Sequence, residues 1–250
     1  MDASIDMDTI EQNRQLDGWI KAQFIRKVYS ILSAQLVVTV GLIVGLIYAA
    51  FLSGDPKYPT HFGHWLSGPG YYLGYVLFLC ALFVLCGLLS VQYRYPANMI
   101  GLGLFTLLIS FFVGQLVVVY YGHGAGQQVL LAFIITCASF ICLTLFTIFS
   151  KIDFSFLAPF LCLGTYILLI WSLILSIALT VGGFHASWGI VLVILGVVLF
   201  TGFIIFDTYN IITYLGVDDY IVAAVELYLD VVNMFLYILT CLSLGSGGQS

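Results

Sequence analysis

Three acidic residues lie within long apolar stretches near the C-terminal end of the chain. Asp207 lies in one such stretch, and Glu226 and Asp230 lie in the next. Glu226 and Asp230 are four residues apart, so in a helix both project from one face. A carboxylate in the centre of a bilayer costs at least about 2.5–3.5 kcal/mol. A chain that carries three of them generally hides them from lipid and uses them.

Neighbouring carboxylates can do two kinds of chemistry. Two of them away from water cannot both stay ionised cheaply, so they share a proton and titrate together. Their oxygens also suit a hard cation such as Ca²⁺. The pattern therefore indicates a pH sensor, a proton relay or a cation site. The alternative is a structural carboxyl group that is hydrogen-bonded to a tyrosine or threonine neighbour.

A single arginine could act as the matching cation. Arg94 comes just before Pro96, at the end of an apolar stretch. Its long side chain could extend to the lipid headgroups, or it could turn inward and pair with Asp207 or Asp230. Position alone leaves both interpretations open.

The elements that must position these residues are membrane helices. Of the 250 residues, 62% are hydrophobic and only 8% are charged, against about 25% charged residues in soluble domains. This composition excludes a cytosolic enzyme, a nucleic-acid-binding protein and a disordered chain. Seven stretches are long enough to span a bilayer: 28–52, 71–93, 97–121, 127–150, 154–181, 188–214 and 220–243.

The basic residues predict how these spans are oriented. Six of the seven fall on the side of the N-terminus, and only Lys57 falls on the other side. Because basic residues favour the cytosolic side, we expect a multi-pass integral membrane protein with a cytosolic N-terminus. The predicted divisions are a polar cytosolic segment (1–26), a seven-helix transmembrane domain (27–243) and a short uncharged tail (244–250).

The glycines, cysteines and histidines can be interpreted without a role in the acidic site. Gly41 and Gly45 have the spacing of closely packed membrane helices. The six cysteines all lie in apolar stretches and are predicted to be small buried hydrophobic residues, with no disulfide or zinc spacing. Four histidines lie in loops on the side opposite the N-terminus: His61, His64, His123 and His185. They reflect either chance placement in polar loops or a pH- or metal-sensing face.

The acidic residues lie in segments that resemble a known family. Phe206-Asp207-Thr208, the stretch 219–224 and the stretch 227–239 are similar to the C-terminal signature of the transmembrane Bax inhibitor motif family, and most of all to its Lifeguard branch. The stretches 24–29, 95–98 and 151–154 fit the same branch. The resemblance covers about residues 17–240.

The resemblance implies a fold and a function. The fold is an all-α membrane protein in which six transmembrane helices wrap around a central C-terminal helix. The function is a pH-sensitive calcium leak from an internal store, which affects cell survival. The permeant ion is Ca²⁺, and no cofactor is expected. The expected partners are the lipid bilayer and cell-death regulatory proteins. The family's aspartate sensor pair maps onto Asp207 and Asp230. Its latch arginine maps onto Arg94, counted back from Thr106.

Two departures and several alternatives accompany the resemblance. Glu226 stands where relatives generally have a neutral polar residue, so it would add a third carboxylate to any calcium site. The tail after Ile238 carries no charge.

The compartment is a separate expectation. The membrane would be that of the endoplasmic reticulum or Golgi, with the plasma membrane and lysosome as alternatives.

Two other functions remain to be weighed. One is a non-conducting membrane modulator of cell-death or stress partners. The other is an intramembrane aspartyl protease, which the sequence disfavours because Asp230 follows Leu-Tyr-Leu instead of a glycine motif, and because no Pro-Ala-Leu occurs. We therefore expect no enzymatic activity.

Overall fold

The computed structural model describes residues 2–52, 56–181 and 187–246, with side chains described for 16–52, 56–178 and 189–245. Within these ranges the chain forms eight helices and no strand. They are α1 (Asp2–Ala50), α2 (His61–Ser67), α3 (Tyr71–Val91), α4 (Ala97–Gly122), α5 (Gly126–Phe149), α6 (Leu157–Val181), α7 (Ser187–Thr213) and α8 (Tyr220–Ser246). All except α2 are long and apolar enough to cross a membrane. The predicted all-α bundle of seven spans is confirmed.

The last helix, α8, lies at the centre of the bundle. Four helices, α1, α4, α5 and α7, pack directly against it, while α3 packs on α4 and α6 packs on α7. In α8 and α4, 61% and 56% of the apolar stretch is buried inside the protein, which is more than in the other five spans. The six other spans thus surround α8 in an inner and an outer tier.

The segment between the first two predicted spans contains the short helix α2. Thr60 begins this helix, because its hydroxyl group accepts a hydrogen bond from the backbone N–H of Gly63 at 3.0 Å. The buried side chain of Gln115 in α4 donates to the carbonyl oxygen of Leu66 at 3.2 Å. The hydroxyl group of Thr60 also donates to the carbonyl oxygen of Ala49 at 2.9 Å. These contacts hold α2 against the ends of α1 and α4, opposite the side where α1 begins.

The glycines of α1 do not mediate close packing. An added Cβ at Gly41 or at Gly45 would meet nothing within 4 Å, so the predicted close approach at this pair is wrong. Close approach occurs instead at glycines such as Gly196 in α7, where a Cβ would collide with the ring of Tyr237 in α8. Which glycine faces a neighbouring helix depends on how the whole bundle packs.

We expect Gly63→Ala to lower the thermal stability of the protein. A Cβ at Gly63 would lie 2.5 Å from the carbonyl oxygen of Ala50, a backbone atom at the end of α1. Overpacking costs about 1–3 kcal/mol, which exceeds the roughly 1 kcal/mol that alanine gains over glycine in a helix. Thermal unfolding of the purified protein in detergent measures the change. The control is Gly45→Ala, which has open space and is expected to keep or raise the wild-type midpoint; equal midpoints for both variants would contradict the expected clash.

The sequence predicts that the cysteines are small buried hydrophobic residues, and this prediction is wrong. All six are free, one is partly buried and five are exposed on the flanks of the helices: Cys241, and then Cys80, Cys86, Cys137, Cys142 and Cys162. Within a membrane these flanks face lipid tails, which are as apolar as a protein core. An apolar side chain in a span therefore has no strong preference for the interior.

Candidate carboxylate site

The structure brings Asp207 and Asp230 together. Asp207 lies on α7 and Asp230 on α8, two helices that are joined by a turn of six residues, 214–219, and pack along each other. The two side chains are 8% and 5% exposed. Their carboxyl groups lie within hydrogen-bonding reach of each other. The pair is therefore enclosed in the middle of the protein.

A contact between two carboxyl groups requires a proton, since two ionised carboxylates offer acceptors only. Oδ2 of Asp230 is fully buried and has no hydrogen-bond partner among the described residues. No described lysine or arginine contributes to the electrostatic environment of either carboxyl group. Because an unpaired buried charge costs several kcal/mol, the arrangement favours a pair that holds one or two protons.

Glu226 lies one helical turn before Asp230, outside the enclosed pair. It is within electrostatic range of Asp207 and of Asp219, which is next to the start of α8. Its side chain is exposed but lies within electrostatic range of the pair, so Glu226 is at the edge of the site, and its role as an auxiliary carboxylate stays a prediction. Glu226 stands between the buried pair and the accessible surface on the side of the N-terminus.

Arg94 does not approach the carboxyl groups in this conformation. It lies in the turn between α3 and α4 and is exposed. Its backbone accepts a hydrogen bond from Asn98, and among the described residues its guanidinium group makes none. The expectation that it turns toward Asp207 or Asp230 is not met here, and its role as a latch stays a prediction.

Other residues fasten the turn that leads into α8. Lys27 of α1 stacks on the ring of Tyr220, with its Nζ 3.2 Å from the ring centroid. Asn98 of α4 donates to the hydroxyl of Tyr220 at 2.9 Å, and the hydroxyl of Tyr93 donates to Asp219 at 3.0 Å. Because Asp219 accepts this hydrogen bond, the pKa of Tyr93 is raised. These contacts tie the start of α8 to α1 and to the turn between α3 and α4.

A buried polar network, which the sequence analysis missed, lies between α1, α4 and α8. The hydroxyl of Thr39 is 2.8 Å from that of Ser110 and 2.9 Å from that of Tyr228. One helical turn earlier on α1, the side-chain amide of Gln35 donates to the hydroxyl of Thr106 in α4 at 2.9 Å. Polar residues spaced four apart recur on α1 and again on α4, and this spacing is the signal that could have found the network.

Comparison with known proteins places the whole bundle in one family. A profile of the family described as "Inhibitor of apoptosis-promoting Bax1" matches residues 21–247. The chain belongs to this family. The matched range includes Arg94, Asp207, Glu226 and Asp230.

Relatives in the Bax inhibitor family cover nearly the same length as this chain. "Protein LIFEGUARD 1" of Arabidopsis thaliana is 38% identical over 225 residues, which is 88% of each chain. "Bax inhibitor 1" of Schizosaccharomyces pombe is 35% identical over 237 residues, 90% of this chain and 77% of that protein. "Golgi anti-apoptotic protein" of vaccinia virus is 32% identical over 235 residues, 91% of this chain and 87% of that one. The expected membership of the family, with similarity to its Lifeguard proteins, is confirmed.

Proposed function

We propose that this chain is a pH-sensitive calcium leak channel of an internal membrane, and that it regulates calcium homeostasis and cell death. The observation that carries the proposal is the contact between Asp207 and Asp230 inside the membrane-spanning bundle. A carboxyl pair that shares a proton responds to pH by losing it. Once ionised, the same oxygens are suitable ligands for a divalent cation.

Glu226 supplies the connection between this pair and the surface. Its exposed carboxyl group lies within electrostatic range of Asp207. A cation or a proton that arrives from the side of the N-terminus would therefore meet Glu226 before it reaches the pair. We propose that Glu226 is the outer, and Asp207 with Asp230 the inner, part of one pathway.

The chain's relatives support a role in cell-death regulation. Two of them carry the names "Bax inhibitor 1" and "Golgi anti-apoptotic protein". We propose the same role for this chain, in the membrane of the Golgi or endoplasmic reticulum. We further propose a cytosolic N-terminal segment (1–26), a transmembrane domain (27–243) and a short tail (244–250), with the orientation supported by the six basic residues on one side.

Calcium flux into liposomes tests the proposal. The purified chain is reconstituted into vesicles that contain a calcium-sensitive dye, and flux is recorded from about pH 5 to about pH 8, the range in which a shared carboxyl proton would act as a switch. We expect flux that depends on protein and on pH. No flux at any pH would favour the alternative function, a non-conducting modulator that acts only through partner proteins.

The latch role of Arg94 has its own test. If Arg94 swings inward and pairs with the carboxylates in the closed state, Arg94→Ala removes their cation and we expect greater flux at the pH where the wild-type protein is closed. The control is Arg26→Ala, which removes another exposed arginine on the same side. If both variants conduct like the wild-type protein at every pH, Arg94 is no latch.

A further inference from the structure

Two of the histidines that were predicted to lie in loops line one cavity at the end of the bundle. His64 of α2 and His123, just after α4, both line a cavity of about 170 Å³, together with Phe51, Ser67 and Val119 among others. At about 30 Å³ for each water, this space is large enough for a metal ion with several waters. His61 does not line the cavity, and His185 lies outside the described residues.

The His123 ring is held in the orientation that a metal ligand needs. Its Nδ1 lies 2.7 Å from the carbonyl oxygen of Val119. Because a carbonyl oxygen can only accept, Nδ1 is the donor in this contact, and Nε2 is the nitrogen left to bind a metal. Metal-binding histidines generally have this arrangement, in which a backbone carbonyl fixes the tautomer of the ring.

The second imidazole comes from an element that is firmly held against the bundle. The ring of His64 makes no hydrogen bond among the described residues, so its nitrogens are available. The helix that carries it is fixed by the Thr60 cap and by the bonds from Gln115. Two imidazoles on the walls of one small cavity would supply two of the four ligands of a tetrahedral coordination shell.

We propose that His64 and His123 bind a divalent transition-metal ion such as Zn²⁺, with water completing its coordination. Imidazole nitrogen suits Zn²⁺, Cu²⁺ and Ni²⁺, whereas Ca²⁺ requires oxygen ligands. This site therefore does not compete for the calcium that the proposed function requires. The bound ion joins α2 to the end of α4 and holds closed the end of the bundle opposite the N-terminus, which is lumenal in the proposed orientation.

Binding of Zn²⁺ to the purified full-length chain tests the proposal. Isothermal titration with zinc chloride measures the number of sites, and thermal unfolding in detergent measures the effect on stability. We expect saturable binding of one ion and a rise in the midpoint of unfolding, since a ligand that binds only the folded state stabilises it. Absence of saturable binding by the wild-type chain overturns the proposal.

Three variants show whether these two histidines are the ligands. His64→Ala removes one imidazole, and His123→Asn removes the other while its side-chain amide can still donate to the carbonyl oxygen of Val119. Both are expected to lose saturable binding and the rise in the midpoint, with metal-free midpoints close to that of the wild-type chain. The matched control, His61→Ala, lies on the same helix outside the cavity and is expected to keep both. Loss in the His61 variant, or binding retained by either of the other two, contradicts the proposed site.

Discussion

Asp230→Asn is expected to flatten the pH dependence of calcium flux, so that the ratio of flux between neutral and acidic pH falls to near one. Asparagine keeps the shape of the side chain and can still hydrogen-bond with Asp207, but it cannot ionise. The shared proton, and with it the coupled titration of the pair, is lost. The measurement is flux into liposomes over the same pH series for the variant and the wild-type protein.

The matched control removes the same charge elsewhere on the same side of the bundle. Asp218 is exposed in the turn between α7 and α8 and does not contribute to the electrostatic environment of the pair. Asp218→Asn is therefore expected to keep the wild-type pH profile. A wild-type profile for Asp230→Asn at equal protein content would rule out the pair as the pH sensor, even if the chain conducts calcium.

Glu226→Gln is expected to move the midpoint of the pH–flux curve to lower pH. Glu226 is within electrostatic range of Asp207 and also contributes to the environment of Asp230. Its negative charge opposes ionisation of the buried pair, so glutamine at this position makes ionisation cheaper. The same change removes an oxygen anion that would attract a divalent cation, so we also expect a weaker dependence of flux on calcium concentration at neutral pH.

Two readouts separate the roles that Glu226 can play. A shifted midpoint with unchanged calcium dependence assigns Glu226 to the electrostatics of the pair alone. An unchanged midpoint together with unchanged calcium dependence assigns it to the surface and leaves Asp207 with Asp230 as the whole site. Asp218→Asn again serves as the control, since it removes a nearby negative charge that lies outside the pathway.

The carboxyl pair shows why part of the site was predictable. An ionisable group is costly in lipid, so Asp207 and Asp230 had to face the interior of any bundle that contains them. The turn of six residues between α7 and α8 made these helices neighbours. Those two constraints were enough to expect the two carboxyl groups near each other in the interior.

Glu226 and Arg94 lie near the ends of their spans, where those constraints weaken. A long side chain at such a position can reach water or headgroups instead of the interior. Both are exposed in the structure, although the sequence was compatible with an inward position for each. The rotation of the helix and the shape of the surrounding bundle decided the outcome.

The sequence by itself determined that this chain has seven membrane spans, which segments they are, and which family it belongs to. Length and hydropathy are sufficient for the spans, because a helix that crosses a bilayer needs about 20 apolar residues. The tertiary structure decided which face of each span is buried. Hydropathy does not predict that face, since lipid tails and the protein core are equally apolar. For this reason five of the six cysteines are exposed, and a Cβ at Gly41 or Gly45 would meet nothing. The network around Thr39 and Tyr228 is recognised only when α1, α4 and α8 are brought together.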